Sequence, residues 1–132
     1  MASRRIEDMH PKLQPYVRSF MEKAEQAGVD VLITCTYRSN AEQDALYAQG
    51  RTKPGAIVTR AKAGQSKHNN TIAGKPASLA FDVVPMVDGK CMWNGKHPHW
   101  AILGKIGMGL GFTWYGAPGS PFKELPHFQM SA

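Results

Sequence analysis

An aspartate interrupts an apolar run in Leu79-Ala80-Phe81-Asp82-Val83-Val84-Pro85. The run alternates as a strand does, setting Leu79, Phe81 and Val83 on one face and Ala80, Asp82 and Val84 on the other. A charged carboxylate on a half-buried strand is costly unless it is paired or coordinated. The fold must therefore turn Asp82 to solvent, set it against a cation such as Arg38, or give it to a metal.

Other residues add to this choice. His68 lies in the polar loop Ser66-Lys67-His68-Asn69-Asn70, and His127 stands between Pro126 and Phe128 in an apolar segment. A neutral imidazole there needs partners for both nitrogens. Glu124 precedes His127 by three positions. Singly, these residues read as an exposed loop histidine, a satisfied core histidine and an exposed acid. Jointly, two imidazoles, a carboxylate and a spare acid form the inventory of a hydrolytic zinc site, with three ligands, an open position and a base. His97-Pro98-His99 has a rival metal-like spacing but no flanking carboxylate.

At 132 residues the chain is expected to form one domain, 1–132, with a single core. No apolar run is long enough to span a membrane, so membrane insertion is not expected. Arg4-Arg5 is followed at once by Ile6-Glu7-Asp8 rather than by an apolar stretch, so no Sec-type signal peptide is expected. The net charge of +6 favours polyanions, yet the basic residues are dispersed and match no nucleic-acid motif. Cys35 and Cys91 are far apart and are expected to be buried free thiols.

The pattern of apolar positions predicts an α+β fold, with helices first and then a mostly antiparallel sheet. A helix is expected from Pro11 to Ala27, ended by Gly28, followed by a strand from Val29 to Tyr37. Ser39-Asn40-Ala41-Glu42 is a capping box opening a second helix through Tyr47. Residues 50–66 and 69–78 read as irregular loop. A strand over Leu79–Val87 turns at Asp88-Gly89 into a return strand, Cys91–Trp93. A helix over Trp100–Leu110 and strands at Phe112–Tyr115 and His127–Met130 complete the chain, with Gly116–Pro121 as a link.

The motifs Ser66-x-His68, Ala80-Phe81-Asp82 and Glu124-x-Pro126-His127-Phe128 resemble the metal-binding motifs of the LAS metallopeptidases. Thr36-Tyr37-Arg38-Ser39, Glu42-Gln43 and Leu46-Tyr47 match a further block, and the resemblance runs from about residue 11 to 130. It is nearest to the small phage endolysins that act as L-alanyl-D-glutamate peptidases. The resemblance implies Zn2+ on His68, Asp82 and His127, Glu124 as catalytic acid/base, and Arg38 stabilising an oxyanion or orienting a substrate carboxylate. It places Ser66 and Gln43 along the substrate cleft. It also implies a peptidoglycan stem peptide as partner. No nucleic-acid partner is expected, a monomer is the default, and a chain of this length is expected to leave no room for a separate wall-binding domain. Such a lysin would wait in the host cytoplasm until a holin releases it.

This chain departs from the compact motif in two places. Thirteen residues separate His68 from Asp82, a length a loop absorbs at small entropic cost. The acid is Glu124, where many of the endolysins use aspartate. Glutamate there resembles the D-Ala-D-Ala carboxypeptidase and dipeptidase branch, which is the alternative reading. A non-catalytic zinc-containing binding module is the other, and a spare acid beside the ligands weighs against it.

Overall fold

The computed structural model describes residues 2–120 and 124–132. Helix α1 (Gln14–Gln26) leads to strand β1 (Asp30–Cys35) and helix α2 (Asn40–Ala48). After a long loop, a ribbon pairs β2 (Thr71–Ile72) with β3 (Lys75–Pro76). Strand β4 (Ala80–Val87), strand β5 (Lys90–Cys91), helix α3 (Pro98–Gly109), strand β6 (Thr113–Trp114) and strand β7 (His127–Gln129) follow. The fold is a small α+β domain in which the sheet runs β1-β4-β7-β6, with β5 on β4 and these strands paired antiparallel.

Local chemistry accounts for most boundaries. Pro15 sits in the first turn of α1, where its missing N–H costs nothing, and Gly28 (φ 78°) takes the left-handed geometry just past the end. The Ser39 hydroxyl accepts from the Glu42 N–H at 3.1 Å while the Glu42 carboxylate accepts from the Ser39 N–H at 2.8 Å, closing the expected capping box. Asp88 (φ 52°) and Gly89 (φ 74°) form the predicted tight turn. The same geometry recurs at Ala73 (φ 51°) and Gly74 (φ 76°), so part of the stretch expected to be irregular is a small hairpin. An alanine in left-handed geometry gave no turn signal to read. Pro121 of the expected 116–121 link lies outside the described residues.

The core fills the space between α1, α3 and one face of the sheet. Val17, Phe20 and Ala24 of α1 meet Phe81, Val83, Leu103, Phe112, Trp114 and Phe128. Phe81 stacks on Phe128 at 5.4 Å between ring centres, and Phe20 meets both edge-on at 5.2 Å. Burying rings of this size stabilises by roughly 2–3 kcal/mol each. On α3 the sequence stripe was Trp100, Leu103, Ile106 and Leu110, but Gly104 and Gly107 are buried with Trp100 and Leu103. A Cβ at either glycine would overlap the Trp114 or Phe128 ring, so their bareness lets the helix lie close on the sheet.

The register of β4 decides the site. Phe81 pairs with Phe128 on the core face, so the next position pairs Asp82 with His127 on the opposite face. From the other side Cys35 pairs with Asp82, across an irregularity between Ile33 and Cys35. Burying the phenylalanines thus necessarily turns Asp82 and His127 together towards the cleft.

Candidate metal centre

His68 arrives from outside the sheet, on a 3-10 turn at Lys67–Asn69. The Ser66 hydroxyl caps that turn by accepting from the His68 N–H at 3.2 Å. The Asn69 amide oxygen accepts from the N–H groups of Ser66 and Gly64, and its amide nitrogen donates to the Arg38 carbonyl at 2.9 Å. The His68 carbonyl in turn accepts from the Arg38 N–H at 3.0 Å. The loop that carries His68 is therefore tied to the segment that carries Arg38.

Asp82 faces a nitrogen of each histidine. Asp82 Oδ1 lies 3.2 Å from His68 Nε2 and 3.1 Å from His127 Nδ1. Ligands at about 2.0–2.2 Å around a tetrahedral ion are about 3.3 Å apart, so each of these two separations is of the size a pair of metal ligands shows. The far nitrogen of each ring is also engaged. His68 Nδ1 faces the Thr36 carbonyl at 2.7 Å, and His127 Nε2 faces Gln129 Oε1 at 2.9 Å. Were Nδ1–H of His68 and Nε2–H of His127 donated to those oxygens, the inward nitrogens would be the ones left to offer a lone pair to a metal ion.

Cys35, His68 and Asp82 have donor atoms within 4.8 Å of one another. Cys35 Sγ approaches His68 from the Nδ1 side, at 3.6 Å, where the Thr36 carbonyl already occupies that nitrogen. One imidazole cannot offer both nitrogens to one ion, so Cys35 belongs to the wall behind His68. As expected, it is a buried free thiol. Cys91 is not: it is exposed, because β5 is a two-residue edge.

Without a metal, Asp82 and His68 form a buried ion pair. Burial works against charge on His68, but the Asp82 carboxylate overrides it and pushes the imidazole up to about 10. Burial likewise works against charge on Asp82, and His68 and His127 overcome it, holding the carboxyl well below the usual range. Asp82 Oδ2 faces Arg38 at 3.9 Å, so the ion-pair reading and the ligand reading of this aspartate use different oxygens.

The remaining residues divide by position. The Glu124 side chain is 44% exposed and its Oε2 is 4.0 Å from His127 Nδ1, beside the donor cluster. Arg38 lines the cleft and donates to Gln43 Oε1 at 2.9 Å. Ser66 lines the cleft as well. Gln43, expected along it, is fully buried. It braces Arg38 and donates to the Ala61 carbonyl at 2.7 Å, which places it behind the cleft wall rather than on it. His97 caps α3 by accepting from the His99 N–H, so the rival pair serves a helix end. Tyr115, read from the sequence as the end of a strand, also lines the cleft. Its ring is 4.7 Å from that of His127, whereas Trp114 beside it is buried and donates to the Leu125 carbonyl.

The fold is shared with solved peptidase structures. The L-Ala D-Glu endopeptidase ChiX of Serratia marcescens aligns with a TM-score of 0.62 at 21% identity, over 99% of this chain and 89% of that one. VanYB in complex with D-alanine-D-alanine aligns with a TM-score of 0.67 at 18% identity, over 94% and 72%. In sequence, the chain is 39% identical over 132 residues to the peptidoglycan L-alanyl-D-glutamate endopeptidase CwlK of Bacillus subtilis (strain 168), covering 93% of this chain and 74% of that protein. Residues 6–83 match the family described as VanY, D-alanyl-D-alanine carboxypeptidase. The chain belongs to the VanY family of peptidases.

Proposed function

We propose that this chain is a zinc-dependent peptidoglycan peptidase that hydrolyses the stem peptide between L-alanine and D-glutamate. The observation that carries the reading is the convergence of His68 Nε2, Asp82 Oδ1 and His127 Nδ1 at a cleft, with Glu124 beside them. The choice of bond is supported by the 39% identical relative, whose name specifies it.

His68, Asp82 and His127 would hold the ion, which when bound supplies a Lewis acid that polarises a carbonyl and acidifies water. Glu124 takes the proton of the attacking water and delivers it to the leaving amine nitrogen. Arg38, braced by Gln43, presents a permanent positive charge at the cleft and can meet a carboxylate or a developing oxyanion. Thr36 and Gln129 keep each imidazole in the tautomer that frees its inward nitrogen.

A second reading, removal of a terminal D-alanine, is favoured by the description of the family matched over residues 6–83. Mass spectrometry of purified peptidoglycan after digestion separates the two. The expected product bears a new amino terminus on D-glutamate. Release of free D-alanine with the L-alanyl-D-glutamate bond intact would establish the carboxypeptidase reading instead.

A further inference from the structure

The cleft has two arms that meet at Asp82, Glu124 and His127 and differ in chemistry. The larger, about 960 Å³, adds Arg38, Arg60 and Lys67. The smaller, about 380 Å³, adds Trp93, Trp100, Leu125 and Pro126, and among the described residues no lysine or arginine lines it. An extended substrate whose scissile bond sits at the shared residues meets positive charge on one side and aromatic surface on the other.

Trp93 gives the smaller arm its character. It is 61% exposed, while Trp100 and Trp114 are 3% and 7% exposed. Trp100 is anchored by its indole N–H, which donates to the Asn94 carbonyl at 3.0 Å. Trp93 rests against it, with ring centres 6.3 Å apart and planes inclined by 36°. The indole is thereby braced from within and open at the cleft. A large apolar side chain left so exposed at the edge of a reaction site marks a contact surface for a ligand.

The proposed reaction gives the substrate a direction. Beyond the L-alanyl-D-glutamate bond the stem peptide carries free carboxylates, which suit the arm with Arg38, Arg60 and Lys67. Before the bond stands a single L-alanine, joined through a lactyl group to a muramoyl sugar. One residue spans only about 3.6 Å, so the sugar falls within the neighbouring arm. A pyranose presents C–H groups that pack on the negative face of an indole ring. We propose that Trp93 is the platform of a saccharide subsite that binds the muramoyl sugar on the amino side of the scissile bond; this rests on the L-alanyl-D-glutamate reading.

The test compares kcat/KM for an N-acetylmuramoyl tetrapeptide with that for the same tetrapeptide lacking the sugar. The wild-type protein is expected to favour the saccharide-bearing substrate by about tenfold, as one aromatic anchor supports. Trp93→Ala is expected to bring that ratio to within about twofold of unity, and Trp93→Tyr to keep most of it. Each ratio is taken within one protein, so partial unfolding of a variant cancels. A wild-type ratio near unity, or an unchanged ratio in Trp93→Ala, overturns the subsite. Cleavage after L-alanine of either tetrapeptide by the wild type reads the underlying activity separately. If it occurs and the ratio is flat, the subsite alone falls; if neither substrate is cleaved there, both readings fall.

Discussion

Glu124→Ala is expected to retain one metal ion per chain and to lose peptidoglycan hydrolysis by about 10²–10⁴-fold, the usual worth of a positioned acid/base. The separation of the two effects follows from where the side chain stands. Glu124 Oε2 is 4.0 Å from His127 Nδ1, whereas Asp82 Oδ1 is 3.1 Å from the same nitrogen. The glutamate lies beside the donor cluster and in both arms of the cleft, free to take and return a proton. Its backbone N–H donates to the Tyr115 carbonyl at 3.1 Å, a contact that alanine preserves, so the loop should keep its path. Turbidity loss of outer-membrane-permeabilised cells, read alongside metal content, checks both halves. Full lytic activity in Glu124→Ala would remove Glu124 from the mechanism.

The second large effect is expected at the ligands. His68→Ala and Asp82→Ala should each lose bound metal and, with it, activity, because a two-donor remnant cannot hold zinc against buffer. Asp82→Ala should also change how the metal-free protein responds to pH. His68 is pushed up to about 10, above its ordinary 6.5, so its contribution to stability is complete below about 6.5 and is lost as pH rises through 10. Asp82 is held below its ordinary 3.8, so its contribution is present above that value and is lost as pH falls beneath it. The pair therefore stabilises the metal-free wild type fully between roughly pH 4 and 6.5. Thermal unfolding from pH 4 to 10 should show wild type exceeding Asp82→Ala most in that window and least at the alkaline end. Equal stability of the two proteins at all pH values would mean the pair is not formed.

Asp82 shows why much of the site was legible in the sequence. A carboxylate in an apolar strand has few tolerable environments, and two imidazoles and an acid elsewhere in the chain narrowed them further. Which nitrogen of His68 turns inward could not be read, because that depends on the Thr36 carbonyl, which reaches the ring only through a tertiary contact; for His127 the partner is Gln129, two places along the same strand, whose role shows only once that strand is placed. The juxtaposition of Asp82 and His127 depends on the β4–β7 register, which Phe81 and Phe128 set by stacking in the core.

Elsewhere, side-chain size and exposure misled. Gln43 matched a cleft position in the motif, yet α2 turns it inward to brace Arg38. The α3 stripe was read from its large residues, although the close approach to Trp114 and Phe128 is made at Gly104 and Gly107. Cys91 and Trp93 were placed on a longer return strand. The pairing ends after Lys90–Cys91, which leaves the thiol exposed and Trp93 at the cleft.

The central claim is that His68, Asp82 and His127 hold the zinc on which hydrolysis depends. Titrating zinc into chelator-stripped protein, while measuring hydrolysis of purified peptidoglycan, tests it most directly. Activity should rise from background to its full value and level off at one equivalent of zinc per chain. Full activity in the stripped protein, with metal analysis finding no ion bound, would contradict the account.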